Sequence, residues 1–195
     1  MLIRQATPAD LGRVCRTACL AFADDPVMRF LFPDDDEYFA GGGTVLRFAM
    51  RRWMARGQTW VTDDGVAVAA WVPPDPEPLD LVREPADGPF PDAPDRAARF
   101  TAIGNAVAAH TPPEPHWYLN LIGTHPDWQR QGIAAALICH RFEAADADGL
   151  ACYLETETPE NVAYYRSLGF EVRSEWDVDH PAGPHMWGML RPPAS

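Results

Sequence analysis

Nine residues, Gln129 to Leu137, have the features of an anion-binding loop that runs into a helix. They read Gln-Arg-Gln-Gly-Ile-Ala-Ala-Ala-Leu and follow a segment, His116 to Thr124, that is typical of a β-strand. Such a loop offers several amide N–H groups without partners, and the helix dipole adds partial positive charge. Gly132 has no β-carbon to hold a phosphate away from the backbone. The sequence therefore predicts a diphosphate site formed by the amides of Arg130 to Ala134.

The phenol of Tyr165 is a candidate proton donor. Its reference pKa is about 10, so it is protonated at neutral pH and could protonate a thiolate whose own pKa is about 8.5. One of two adjacent tyrosines in a short helix normally packs inward, so one of Tyr164 and Tyr165 is expected to have a structural role. Glu155, at the end of a predicted strand, could accept a proton through water or orient another group. It could equally be a structural carboxylate that caps the next helix or pairs with an arginine.

The predicted strand before the loop carries polar side chains on one face. With regular alternation, one face holds His116, Tyr118, Asn120 and Ile122, and the other holds Trp117, Leu119 and Leu121. Three polar residues are unusual in a central strand. The face therefore either borders a solvent-filled substrate cleft, with these residues as candidate catalytic groups, or its polar groups form hydrogen bonds with one another.

The elements that must position these residues alternate between strands and helices. Thr7-Pro8-Ala9-Asp10 is a helix start in which Thr7 caps and Asp10 lies three residues later. Strands are predicted at 2–4, 58–62, 66–72, 116–124, 151–155, 170–178 and 185–190, and helices near 8–22, 37–55, 96–109, 133–148 and 160–168. This order predicts an α/β (α+β) fold with a mixed, largely antiparallel sheet, in one domain over 1–195. The proline-rich segment 73–94 is predicted to be an irregular surface loop.

Composition restricts the possible functions. The formal net charge of −12 argues against nucleic-acid binding and favours a cationic or neutral acceptor. No apolar run has membrane-spanning length and the start lacks signal-peptide features, so we expect a cytoplasmic protein without a membrane partner. The four cysteines lack C-x-x-C spacing and the six histidines lack H-x-x-x-H pairs, which predicts reduced thiols and no metal.

Two motifs resemble those of the GNAT superfamily of acetyl-CoA-dependent N-acetyltransferases. Gln129, Gly132 and Ala134 fit the family's Q/R-x-x-G-x-G/A signature, and Tyr165-Arg-Ser-Leu-Gly-Phe170 is similar to its Y-E-x-L-G-F helix end. A likeness to the puromycin N-acetyltransferases and their relatives extends over most of the chain. The resemblance implies the GNAT acyl-CoA N-acyltransferase fold and acetyl-CoA as co-substrate.

The resemblance also assigns roles to individual residues. It implies that 121–123 pair with the pantetheine arm of coenzyme A, that Asn161 helps hold it and that Tyr165 lies near its sulfur. The expected cofactor-binding residues are Leu121, Ile122, Gly123, Gln129, Arg130, Gln131, Gly132, Ile133, Ala134, Asn161 and Tyr165. Many relatives carry an acid on the strand face where this chain has Tyr118 and Asn120, which puts a direct carboxylate base there in doubt.

The sequence thus predicts an N-acetyltransferase that acts on a primary amine of a small molecule by direct transfer. A protein or peptide amine is the alternative acceptor, and a non-catalytic acyl-CoA-binding module is the alternative function. The region from Phe22 to Phe39 is expected to form the acceptor wall, where Asp24 and Asp25 could attract a cation or be merely solvated. Both a monomer and a homodimer fit the sequence.

Overall fold

A computed structural model describes residues 1–55, 57–75 and 93–194. Its centre is a seven-stranded sheet in the order β1-β2-β3-β4-β5-β7-β6. The strands are β1 (Ile3–Gln5), β2 (Thr59–Thr62), β3 (Ala67–Val72), β4 (His116–Thr124), β5 (Ala151–Thr156), β6 (Glu171–Asp177) and β7 (His185–Arg191). Only the β4–β5 pair is parallel; the other five pairings are antiparallel. The predicted mixed, largely antiparallel fold class is confirmed.

Helices cover both faces of the sheet. They are α1 (Leu11–Ala21), α2 (Pro26–Leu31), α3 (Asp35–Glu37), α4 (Gly43–Ala55), α5 (Pro94–His110), α6 (Ile133–Ala147) and α7 (Pro159–Ser167). A π-helical turn, Tyr38–Gly42, joins α3 to α4 where the sequence predicted one glycine-loosened helix. Most of the predicted 73–94 loop lies outside the described residues. In the described parts of the chain, no helix combines the length and apolarity needed to cross a bilayer.

Each face of the sheet has its own hydrophobic core. On one face α1 and α4 pack against the sheet, and the core includes Val14, Leu46, Met50, Val61, Val68 and Leu121. On the other face α6 and α7 pack against it, and the core includes Trp71, Trp117, Leu119, Leu137, Leu154 and Met189. Burial of this apolar surface on both sides holds β4 at the centre of the domain.

A β-bulge in β4 corrects the predicted alternation. Ala70 of β3 lies opposite Leu121, but the next residue, Trp71, lies opposite Leu119, so Asn120 is an extra residue in β4. An extra residue reverses the faces beyond it. Leu121 consequently packs in the α1 core, whereas Ile122 packs against the α6 core. The prediction that Leu121 shares a face with Trp117 and Leu119, and Ile122 with the polar residues, is wrong.

Helical structure begins at the predicted position, but as a 3-10 turn, Pro8–Asp10, that leads into α1, and the Thr7 hydroxyl donates to Asp10 instead of capping the backbone. Asp10 accepts hydrogen bonds at 2.8 Å from both the backbone N and the Oγ1 of Thr7. The guanidinium of Arg4 donates two further bonds to the same carboxylate, each 2.8 Å long. Asp10 is only 6% exposed, and the Arg4 and Thr7 bonds hold its pKa well below the usual range. This carboxylate ties β1 to the beginning of α1.

Candidate active site

A cleft of about 440 Å³ opens where β4, α6, α7 and the α1–α2 connection meet. Its walls combine backbone of the loop before α6 with side chains of α7 and of the α1–α2 connection. The lining includes Phe22, Asp24, Asp25, Ile122, Gly123, Trp128, Gln129, Arg130, Gly132, Ile133, Ala134, Asn161, Tyr164 and Tyr165. Nine of the eleven residues predicted to bind the cofactor line this cleft, and Leu121 and Gln131 do not.

The loop from Gln129 to Ala134, here called the anion loop, presents unpaired amides. Within the described chain, the N–H groups from Arg130 to Ala135 make no backbone hydrogen bond, and the first bond of α6 runs from Ala136 N to Gly132 O. Gly132 has φ 78° and Arg130 has φ 62°, which turns the loop sharply into the helix. A β-carbon built on Gly132 would meet no protein atom within 4 Å. These features fit a diphosphate bound by backbone donors.

The two glutamines of the anion loop have different positions. Gln129 lines the cleft, and its side-chain amide donates to the backbone O of Thr124 at 3.2 Å. This bond fixes the start of the loop against the end of β4. Gln131 is exposed, lies outside the cleft lining and reaches back to Asp127 O at 3.5 Å. Any contribution of Gln131 to anion binding would come from its backbone.

β4 and β5 pair only over their first three residues. The pairing runs from His116 opposite Ala151 to Tyr118 opposite Tyr153 and then stops, although β4 continues to Thr124. Beyond Tyr118, β4 has no strand partner on its β5 side among the described residues. Its unpaired edge can accept an extended ligand as an added strand would. Gly123 and Ile122 of this stretch line the cleft.

Two adjacent tyrosines of α7 line the same cleft. Tyr165 is the more buried, at 6% exposure, and its ring packs edge-on against Phe170 with centroids 6.0 Å apart. Burial, followed by the charge of Glu157, raises the pKa of Tyr165, so its hydroxyl stays protonated at neutral pH. Tyr164 is half-buried, and its ring lies 5.3 Å from that of Tyr165. Tyr165 makes no hydrogen bond to the described residues, so its hydroxyl is available to a ligand.

Glu155 lies beside two phenols on the face of the sheet opposite the α6 core. Burial raises its pKa to about 7, and the nearby hydroxyl groups of Tyr118 and Tyr153 lower it in part. Glu155 in turn raises the pKa of both phenols, after burial. The tyrosine rings lie 5.8 Å apart. A carboxyl group that titrates near neutral pH is suited to accept a proton from an amine.

His116 and Asn120 lie away from the cleft lining. The Nδ1 of His116 is 2.7 Å from the backbone O of Glu114, and its ring contacts Tyr153 with centroids 5.3 Å apart. Asn120 is half-buried at the bulge. Of the predicted polar residues on β4, Tyr118 alone borders Glu155.

Two acidic residues matter more at this site than the sequence indicated. Asp25 lines the cleft and caps α2, because its carboxylate accepts from Met28 N at 2.9 Å. Glu157, just beyond β5, was not predicted as a site residue. Burial raises its pKa, as do the nearby charges of Asp25 and Glu155. Its position two residues after Glu155, at the end of the predicted strand, is the sequence signal that could have revealed it.

Residues 97–172, which contain β4, the anion loop, β5 and α7, match the family model described as Acetyltransferase (GNAT) domain. This segment of the chain is similar to a GNAT acetyltransferase domain. The match supports the superfamily predicted from the two motifs over this segment, which includes the anion loop and Tyr165.

Solved structures share the fold over nearly the whole chain. The histone acetyltransferase HPA2 and related acetyltransferase from Corynebacterium glutamicum is 24% identical, with 99% of this chain and 96% of that chain covered and a TM-score of 0.69. Arylalkylamine N-acetyltransferase 2 from Aedes aegypti is 12% identical, with 99% of both chains covered and a TM-score of 0.64. The PaiA N-acetyltransferase from Thermoplasma acidophilum, in complex with coenzyme A, is 11% identical, with 98% of both covered and a TM-score of 0.59. At these identities the comparison establishes the fold.

Proposed function

We propose that the protein transfers the acetyl group of acetyl-CoA to a primary amine of a small molecule, in a ternary complex. One observation carries the proposal: the anion-loop amides, the unpaired edge of β4 and the hydroxyl-bearing Tyr165 converge on a single cleft. Coenzyme A has a diphosphate, an amide-bearing arm and a sulfur that need these three kinds of partner. The match of residues 97–172 to the GNAT domain model supports the same cofactor.

The cofactor is held mainly by backbone groups in this proposal. The amides from Arg130 to Ala134 bind the diphosphate, the edge of β4 from Leu121 to Gly123 binds the pantetheine amides, and Asn161 contributes from α7. When bound, acetyl-CoA supplies a thioester whose carbonyl carbon is attacked by an amine nitrogen, so that a C–N bond replaces the C–S bond. Since all described cysteines are free and none lines the cleft, direct transfer is favoured over an acetylated thiol.

In this proposal Glu155 is the proton acceptor and Tyr165 is the proton donor. Glu155 accepts a proton from the incoming ammonium, directly or through water, because its carboxyl group is partly ionised near pH 7. Tyr165 donates its hydroxyl proton to the departing sulfur, since its raised pKa keeps that proton in place until a strong acceptor forms. The second proton that the nitrogen loses as the amide forms returns to the Tyr165 phenolate, and Glu155 releases its proton to solvent. Tyr118 and Tyr153 keep Glu155 in position through its carboxylate.

The proposal is tested by incubating the protein with acetyl-CoA and a panel of small amines, with thiol release and product mass as readouts. Puromycin belongs on the panel because of the sequence resemblance. We expect thiol release in equal amount to acetylated amine. Coenzyme A binding with no turnover of any amine, or turnover of peptide amines alone, would overturn the proposal in favour of a binding module or a peptide acetyltransferase.

The composition offers a clean control for this assay. The chain contains no lysine, so acetylation of its own side-chain amines cannot contribute to thiol release. Intact mass spectrometry before an amine is added should therefore show no acetylated protein beyond the N-terminus. A stable acetyl adduct on a cysteine, which an added amine then removes, would contradict direct transfer.

A further inference from the structure

Thr124, the last residue of β4, carries a buried hydroxyl group at the wall of the cleft. The residue lines the cleft and is only 8% exposed. Its Oγ1 atom is buried and has no hydrogen-bond partner among the described residues. Buried hydroxyl groups in native proteins normally have a partner. An unpaired hydroxyl at the wall of a cleft therefore indicates that a hydrogen-bonding ligand completes the site.

The side chain of Thr124 lies on the α6 side of the sheet. Thr124 pairs with Ala67 of β3, and Ile122 pairs with Ala69. Ala67, Ala69 and Ile122 all belong to the α6 core. Residues directly opposite each other, and residues two apart along a strand, share a face. The Thr124 hydroxyl is therefore on the side of the sheet where the N-terminus of α6 offers its unpaired amides.

The anion loop begins beside the same residue. The side-chain amide of Gln129 donates to the backbone O of Thr124 at 3.2 Å. The next residue, His125, is fixed in turn, because its backbone N donates to Val66 O at 2.8 Å. Thr124 thus marks the junction where the unpaired edge of β4 ends and the anion loop begins. A ligand that occupies both must pass this side chain.

We propose that the Thr124 hydroxyl donates a hydrogen bond to a diphosphate oxygen of the ligand in the anion loop. This inference rests on the proposed function and deepens it, because it adds a side chain to a site of backbone amides. A diphosphate offers only acceptors, and a hydroxyl can donate one hydrogen bond. Such a bond to an anionic oxygen is about twice as strong as one between neutral groups.

The proposal predicts opposite effects on the free protein and on the complex. Thr124→Val replaces the hydroxyl with a methyl group of similar size. Because an unpaired buried hydroxyl destabilises the free protein, we expect its thermal midpoint to rise by about 2–4 °C. The Kd for coenzyme A, measured by calorimetry, should increase about 10-fold, because the bond to the ligand is lost. A merely structural role would instead lower the midpoint as binding weakens.

Two further variants control the measurement. Thr59, on β2, is 1% exposed and its Oγ1 is also unpaired within the described chain, but it lies outside the cleft lining. Thr59→Val should raise the midpoint similarly and leave the Kd for coenzyme A unchanged. Thr124→Ser keeps a hydroxyl and should retain the wild-type Kd.

Several results would overturn the hydrogen bond from Thr124 and leave acetyl transfer intact. They are an unchanged Kd in Thr124→Val, an equal increase in Thr59→Val, and weaker binding together with a lower midpoint. An equal loss of affinity for pantetheine, which has no diphosphate, would place the contact on the pantetheine arm and overturn the assignment to the diphosphate. Failure of the wild-type protein to bind coenzyme A would overturn both proposals.

Discussion

The two halves of the cleft are built from different kinds of chemical group. The anion loop is a contiguous segment that offers backbone amides and a helix N-terminus. The opposite half is formed by side chains from two distant parts of the chain, among them Asp24 and Asp25 of the α1–α2 connection and Tyr165 of α7. One half is suited to a fixed anionic group, and the other to a cationic molecule whose shape can vary.

This difference indicates which residues determine specificity for the cofactor and which determine specificity for the acceptor. Backbone donors bind a diphosphate whatever the neighbouring side chains are, so a short motif is enough to specify that half. The acceptor half depends on side chains that only the folded sheet brings together. Substitutions on the two sides should consequently affect different kinetic constants, which separates the contributions of the two halves.

The largest expected effect is that of Tyr165→Phe, at the boundary between the halves. Loss of the proton donor should lower kcat by about 100-fold or more, because general acid catalysis contributes effects of this size. The Kd for coenzyme A should change little. Tyr164→Phe, which removes the neighbouring hydroxyl of the same cleft, is the control and should retain most activity. Equal losses in the two variants would contradict the assignment of Tyr165.

Glu155→Gln should remove a pH dependence from the acceptor half. With a pKa of about 7, the carboxyl group is neutral below that pH and ionised above it, so kcat/KM should rise as the pH increases through 7. In the variant this rise should disappear, and kcat/KM above neutrality should fall about 10- to 100-fold. Glu171→Gln, at an exposed residue of β6, should retain the wild-type profile. A rise that persists in Glu155→Gln would assign it to another group.

Gly132→Ala should affect the loop half alone. The β-carbon would project into the space where a phosphate binds, and we expect the Kd for coenzyme A to increase about 10-fold. Gly149→Ala is a matched control at the other end of α6, with φ 67° and equally open surroundings. Both substitutions should cost about 1 kcal/mol of stability, because both residues have left-handed backbone. Equal effects on Kd would show that strain, and not the ligand, explains the result.

The smallest functional effect is expected for Asp10→Ala, remote from both halves. Loss of the helix cap should cost about 1–2 kcal/mol in the free energy of unfolding, with kcat/KM unchanged. Because Arg4 and Thr7 lower the pKa of Asp10, its contribution is complete above the unfolded pKa of about 4 and decreases as the pH falls towards the folded value. Denaturant unfolding of the wild type and the variant should therefore converge in acid. A difference independent of pH would point to lost packing.

The loop and the helix that follows it could be predicted from the sequence because all their determinants are neighbours along the chain. The bulge at Asn120 could not be predicted, because it arises from the pairing of β4 with β3 and leaves no signal in the alternation of β4 itself. The importance of Glu157 was missed for a related reason. The predicted strand ended at Glu155, whereas β5 continues to Thr156, so that Glu157 is the first residue beyond the strand.

The early end of the β4–β5 pairing has a further consequence for the behaviour of the protein in solution. Exposed strand edges invite other polypeptides to join the sheet, which leads to aggregation. Here the free backbone groups of β4 lie at the bottom of a narrow cleft between α7 and the α1–α2 connection, and the outer strands of the sheet are elsewhere. A slender, flexible chain can reach them, whereas the flat sheet of a second protein cannot. The position of this unpaired stretch inside a cleft thus favours pairing with a ligand over pairing with another protein.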